Sequence, residues 1–269
     1  MNSEQRPVST VVEVRGLSKR YGAPEGKRGG MVTQALDQVS FAVSSGEFVA
    51  IMGPSGSGKS TLLNCLATID APTSGQIVVG GRDISSLRGG ELAKFRRDSL
   101  GFIFQDSNLL DTLTAFENIA LALTIQKAPV RDIDGRVRNA AQQLGIEEVL
   151  EKYPYQLSGG QKQRVAAARA TVTDPRLVLA DEPTGALDSK SAEQLLESLD
   201  RLNELGSTIL MVTHDAFSAS FCSRIVLIKD GRLYGELQRK GFDREAFYRV
   251  IVDAVSDMGS QDVEVDNAL

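Results

Sequence analysis

The sequence predicts an α/β fold in which a helical segment interrupts a frame of strands and helices, and three observations predict it. A glycine-rich turn at 53–58 joins a strand pattern to a helix pattern. The run Leu177–Ala180 is short, wholly apolar and flanked by turns, the character of a strand buried on both faces of a parallel sheet. Between Thr114 and Leu150 the pattern is helical.

Taken in order, Val11–Val14, Leu36–Val43 and Glu47–Met52 read as strands, and Ala23–Gly30, with its glycines, proline and charges, reads as an exposed loop. Ser60–Ala67 reads as a helix, Gln76–Val79 as a strand after the Pro72–Gly75 turn, and Gly101–Gln105 as a further strand. Thr114-Ala-Phe-Glu117 has the form of a capping box, in which Glu117 returns to the cap amide. Ile119, Leu121, Leu123 and Ile125 give the helix it opens a broad apolar surface, and a second helical stretch follows at Arg131–Leu144. Residues 106–157 are therefore expected to form a helical subdomain inserted in the frame. The frame resumes with a helix at Gln161–Thr173, stopped by Asp174-Pro175. After Leu177–Ala180 come a helix near Ala192–Leu205 and a strand at Thr208–Thr213. Arg224–Lys229 and Arg232–Leu237 flank Asp230-Gly231, a favoured hairpin dipeptide. Phe247, Val250, Ile251, Ala254 and Val255 then recur at helical spacing, and the polar, acidic end is expected to fray. The expected division is one domain over 11–240, with 106–157 nested inside it, and a C-terminal helix and tail over 241–269.

Composition narrows the class. The 269 residues suffice for one large α/β domain, and a net charge of −5 offers no basic field for nucleic acid. No apolar stretch approaches the roughly 20 residues that span a bilayer, and the polar N-terminus lacks the apolar core of a signal peptide. Cys65 and Cys222 are far apart, in apolar contexts, and read as reduced core thiols.

Gly53-Pro54-Ser55-Gly56-Ser57-Gly58-Lys59-Ser60 matches G-x-x-x-x-G-K-[ST] in full, between a strand and a helix. The glycines let several N–H groups converge on one anion, and the helix adds the positive end of its dipole. Lys59 is the charge for the β- and γ-phosphates, Ser60 a candidate Mg²⁺ ligand, and Thr61 a contact near the α-phosphate. The motif alone says nucleoside triphosphate. Asp181 and Glu182 end the buried strand. Asp181 suits the water shell of Mg²⁺, and Glu182, whose side chain points differently, suits an attacking water.

Leu157-Ser158-Gly159-Gly160-Gln161 opens a second helix with a hydroxyl and glycine amides, and so forms a second anion site. One chain needs one such cradle for one triphosphate, so a second invites a second molecule. With this motif in place the sequence resembles the ABC ATPase superfamily over roughly Val11–Leu237. The resemblance implies a P-loop NTPase (RecA-like) core with an antiparallel β subdomain and the inserted helical subdomain. It implies ATP and Mg²⁺, and two copies that sandwich ATP, the signature of one closing on the γ-phosphate held by the other. It further implies roles for single residues: Tyr21 stacking on adenine, Gln105 touching Mg²⁺ and sensing the transmembrane partner, Gly185-Ala-Leu-Asp188 crossing the dimer interface, and His214 contacting the γ-phosphate. Asn64–Asp70, Gly101–Gln105 and Asp181–Ser189 look like ATPases that serve FtsX-like permeases, most similar to the bacitracin-resistance branch. Macrolide and lipoprotein export ATPases and a cell-division regulator are relatives of it. The expected location is the cytoplasmic side of the membrane, held by the permease.

Overall fold

The computed structural model describes residues 9–22 and 32–260, so the expected loop at Ala23–Gly30 and the acidic end lie outside the described residues. The strands are β1 (Thr10–Tyr21), β2 (Thr33–Ser44), β3 (Phe48–Met52), β4 (Ser74–Val79), β5 (Arg82–Asp83), β6 (Leu100–Ile103), β7 (Leu177–Asp181), β8 (Ile209–Val212), β9 (Arg224–Lys229) and β10 (Arg232–Gln238). The helices are α1 (Lys59–Leu66), α2 (Gly90–Ser99), α3 (Ala115–Gln126), α4 (Val130–Gln143), α5 (Gly159–Thr171), α6 (Ser189–Glu204), α7 (Ala216–Ala219) and α8 (Arg244–Ser260). No described helix is long and apolar enough to cross a membrane.

Two sheets organise the chain. A six-stranded sheet has the order β10-β9-β3-β8-β7-β6, with β9 through β6 parallel and β10 antiparallel to β9. A four-stranded antiparallel sheet has the order β2-β1-β4-β5. The parallel strands separate two cores by their period of two. Phe48, Ala50 and Met52 of β3 enter the core shared with the helical segment, while Val49 and Ile51 enter the core under α1 and the antiparallel sheet. β7, β8 and β9 divide in the same way, which is why each reads as an unbroken apolar run. The fold is thus an α/β P-loop NTPase-type core with an antiparallel β part and a helical insertion.

Several elements differ from expectation for local reasons. β1 runs to Tyr21 because bulges at register shifts and Gly16, at φ 54°, let it bend without leaving the sheet. β6 stops at Ile103, so Gln105 begins a loop instead of closing the strand. α2 is polar apart from Leu92, Ala93 and its one buried side chain, Phe95, and leaves no period to read. Thr114 caps α3, accepting from the Glu117 amide at 3.2 Å while Glu117 accepts from the Thr114 amide at 2.8 Å. α8 seats Phe247, Ile251 and Met258 in the core of the main sheet, so this helix packs on its own chain. Both cysteines are buried and free; burial pushes the Cys65 thiol up to about 11.

Candidate nucleotide site

The parallel register brings four strand ends level: Ile51 lies opposite Val212, Val212 opposite Asp181, and Ala180 opposite Ile103. The loops leaving these carboxyl ends carry the candidate residues, where ligands of open parallel sheets bind.

The first loop turns from β3 into α1. A Cβ on Gly53 would lie 1.9 Å from the Ile228 carbonyl oxygen, so the chain passes there only as glycine. Gly58, at φ 98°, starts α1 in the left-handed region, and a Cβ there would meet the Ala35 oxygen at 2.4 Å. Pro54, Ser55 and Gly56 are exposed, and no side chain caps α1, which leaves its first N–H groups to an anion. Ser57 Oγ is buried without a partner among the described residues. Lys59 Nζ folds back on the Gly53 and Pro54 oxygens at 2.8 and 2.9 Å. Burial lowers its pKa, opposed by Glu182 and Asp181, which places all three groups in one electrostatic site. Ser60 is exposed and Thr61 half-buried in the first turn. Gly53→Ala is expected to destabilise the chain by about 1–3 kcal/mol through overpacking against β9. Denaturant midpoints check this, and an unchanged midpoint would mean that β9 yields without cost.

Asp181 ends β7. Burial raises its pKa, the Glu182 charge adds to that, and Lys59 opposes it. Glu182 adopts φ 44°, unusual outside glycine, while its amide still donates to the Val212 oxygen at 2.9 Å. That turn aims its carboxylate at the next strand end. Oε1 lies 2.8 Å from His214 Nδ1, and Oε2 accepts from the Thr213 hydroxyl at 3.2 Å. The imidazole is 71% exposed and the Glu182 side chain 18%, so a largely sheltered carboxylate is held by a solvent-facing ring.

Gln105 packs its amide against Gly185, where a Cβ would come within 3.2 Å of Nε2. Two residues that sequence reasoning passed over hold the loop it begins. Gln163 donates to the Phe104 oxygen at 2.5 Å, and Arg169 donates to Asn108 and Ser107 oxygens at 2.8 and 2.9 Å. Both lie on α5, so this loop is fastened to the helix that Ser158 opens.

Ser158 and Gln161 cap each other: the Gln161 amide donates to Ser158 Oγ at 3.2 Å, and the Ser158 amide to Gln161 Oε1 at 3.0 Å. Gly159 is exposed. Gly160 is buried, and a Cβ on it would meet Ser191 at 2.8 Å, so its glycine serves the contact of α5 with α6 as well as any anion. Asp188 caps α6, accepting from the Ser191 amide at 3.0 Å and its hydroxyl at 2.7 Å. Those Ser191 bonds lower its pKa. Among the described residues no hydrogen bond or ion pair joins 157–161 to the loop at 53–61. Tyr21 ends β1, 41% exposed, with its hydroxyl on Asp70.

The donors available to a cation are hard oxygens: the Ser60 hydroxyl, the Gln105 amide and Asp181. Among the described residues no group of three or more His, Cys, Asp or Glu forms a protein cage. That set fits Mg²⁺, which keeps its waters and takes few protein ligands, and a carboxyl raised by burial is one a cation would relieve.

Comparison with known proteins agrees with this geometry. The family described as ABC transporter matches residues 36–185. The ABC transporter ATP-binding protein YvcR of Bacillus subtilis is 51% identical over 258 residues, 96% of this chain and 98% of that protein. The bacitracin export ATP-binding protein BceA of Halalkalibacterium halodurans is 48% identical, covering 93% of this chain and 97% of its own. A dimeric post-hydrolysis structure of the ATP-binding cassette MJ0796 of Methanocaldococcus jannaschii, bound to ADP and Pi, superposes with a TM-score of 0.75. It is 41% identical over 86% of this chain and 100% of that one. A phosphate loop, a carboxylate pair at a strand end and a second helix start thus stand in a cassette shared over nearly the whole chain, which belongs to the ABC transporter family as an ATPase working on ATP with Mg²⁺.

Proposed function

We propose that two copies of this chain close head to tail on two ATP molecules and drive a separate FtsX-like permease from the cytoplasmic face, in resistance to or export of bacitracin-like peptides. One observation carries the sandwich: Ser158 and Gly159 form an exposed helix start, a second anion-binding end besides the one that follows the phosphate loop. The peptide branch is supported by 48% identity to a bacitracin export protein. The ATPase domain is taken as 11–240 with 106–157 nested in it, and 241–269 as an addition.

In this reading the backbone amides of 53–58, Lys59 and Thr61 bind the phosphates, and Tyr21 stacks on the base. Ser158, Gly159, Gly160 and Gln161 of the second copy, with Asp188 beside them, close the other side. Ser60, Gln105 and, through water, Asp181 would hold Mg²⁺, which would supply charge neutralisation to the phosphates. Glu182 accepts the proton of the attacking water. In the structure its carboxylate is engaged by His214 and Thr213. When the exposed His214 ring turns to the γ-phosphate, Oε1 is freed to take that proton.

The permease contact is placed on the loop after Gln105. Leu109 is half-buried against the core and lines, with Gln105, Pro154 and Leu187, a cavity of about 290 Å³, while Leu110 is 47% exposed. Phe102 and Phe104 stack at 5.6 Å and, with exposed Ile125, line a separate groove. The backbone at Leu110 is held by Asn118 at 2.8 and 3.1 Å, independently of the leucine side chain. Leu110→Asp is therefore expected to leave folding and basal ATP hydrolysis unchanged, while peptide resistance and co-purification with the membrane permease are lost. Unchanged complex and unchanged resistance would remove this surface from the reading.

A further inference from the structure

We propose that Asp70 is a positioning residue for nucleotide binding: it fixes the ring of Tyr21, so that helix α1 sets the spacing between the phosphate and base ends of the site. This rests on the reading of Tyr21 as the base-stacking residue.

An exposed tyrosine at a strand end has no neighbours to restrict its rotation, and ordering it on binding costs free energy. Here the ring is held beforehand. The Tyr21 hydroxyl donates to Asp70 Oδ2 at 2.6 Å, and the Thr61 side chain also interacts with that hydroxyl. The other Asp70 oxygen takes Lys19, which is buried and donates as well to the Ala71 oxygen at 2.7 Å. Lys19 Nζ lies 4.8 Å from the Tyr21 ring centre. A cation thus occupies one face of the ring, so a base would have to stack on the other. Burial works against ionisation of Asp70, but the bonds from Lys19 and Tyr21 outweigh it and hold the carboxyl below its ordinary range. Burial, with Asp70 next, raises the Tyr21 hydroxyl, which stays a donor.

Asp70 is itself fixed relative to the phosphate loop. α1 is eight residues, about 12 Å long, and it begins at Lys59. After it, Thr68 adopts φ 56°, and the Ile69 and Asp70 amides both donate to the Asn64 oxygen at 3.0 and 3.1 Å, which turns the chain back toward β1. Arg96 of α2 holds the outer side of that turn, donating to the Thr68 oxygen at 3.0 Å and its hydroxyl at 3.1 Å. One short rigid helix therefore carries the phosphate charge at its start and, just past its end, the carboxylate that orients the base platform.

Calorimetric titration of ATP and of inorganic tripolyphosphate, which has no base, tests this on the full chain. Asp70→Ala and Tyr21→Phe are each expected to weaken ATP about threefold to tenfold, the cost of ordering one side chain. Tyr21→Ala is expected to weaken it roughly tenfold or more, the worth of one stacked base. Tripolyphosphate affinity is expected to stay unchanged in all three. If Tyr21→Ala binds ATP normally, the stacking reading fails and the proposal with it. If Tyr21→Ala weakens ATP while Asp70→Ala and Tyr21→Phe do not, stacking stands and the positioning role is overturned. A parallel loss of tripolyphosphate in Asp70→Ala would overturn it too, because Asp70 would then be supporting the phosphate loop.

Discussion

Glu182→Gln is expected to bind ATP, to hydrolyse it about 10²–10⁴-fold more slowly, the usual contribution of a general base, and to accumulate as a dimer in Mg-ATP. The amide keeps the size of the carboxylate and can still accept from the Thr213 hydroxyl, which lies 3.2 Å from Oε2. Two things change. The amide cannot take a proton from water, so the chemical step stalls. A negative charge also disappears beside Asp181 and Lys59, and repulsion toward an incoming γ-phosphate falls with it. Binding is thereby favoured while turnover is lost, and both effects hold the closed state. Light scattering across ATP and protein concentrations, with phosphate release measured in parallel, checks this. A variant that stays monomeric throughout, or turns over normally, would count against both the base role and the sandwich.

The frame of the fold was legible because its physics is local. Buried parallel strands are unbroken apolar runs, and β7 and β8 fall inside the expected runs to within a residue. The capping box at Thr114 and the Asp230-Gly231 hairpin involve residues close in sequence, and both form as expected. α2 was not legible, since Phe95 is its single buried side chain. The candidate site divides along the same line. The phosphate loop and the carboxylate pair are contiguous motifs. The braces are not: Gln163 and Arg169 act on carbonyls 59 to 62 residues away, and Asp70 meets Tyr21 across 49. Nothing in a single sequence pairs residues at such separations. Gly160 shows the complementary gap. Its place in a glycine pair reads as an amide donor, and only the packed Ser191 reveals that the missing side chain also makes room for α6.

Mixing two defective chains is expected to restore what neither has alone. Lys59→Ala removes the buried ammonium of the phosphate loop and is expected to weaken ATP about tenfold to a hundredfold, the range for losing a charge-assisted hydrogen bond. Ser158→Arg leaves that loop untouched and should bind ATP in its own cradle. At the helix start, however, it replaces a capping hydroxyl by a long cation beside the positive end of the α5 dipole, so the surface cannot close on a phosphate. The cap itself is worth about 1 kcal/mol. A Ser158→Ala control, which loses the cap but adds no bulk, separates a weakened helix from a blocked interface. In a head-to-tail pair each ATP lies between the loop of one copy and the signature of the other. Combining Lys59→Ala with Ser158→Arg puts both lesions in one composite site and leaves the second site with an intact loop and an intact signature. Each variant alone is therefore expected to stay monomeric in Mg-ATP, whereas a differently tagged mixture should yield an ATP-dependent heterodimer by pull-down. Hydrolysis in that heterodimer stays low if the two sites must fire together, so the readout is association and not turnover. Failure to recover any heterodimer, or equal dimerisation of each variant by itself, would mean that Ser158 does not complete a site on the other copy.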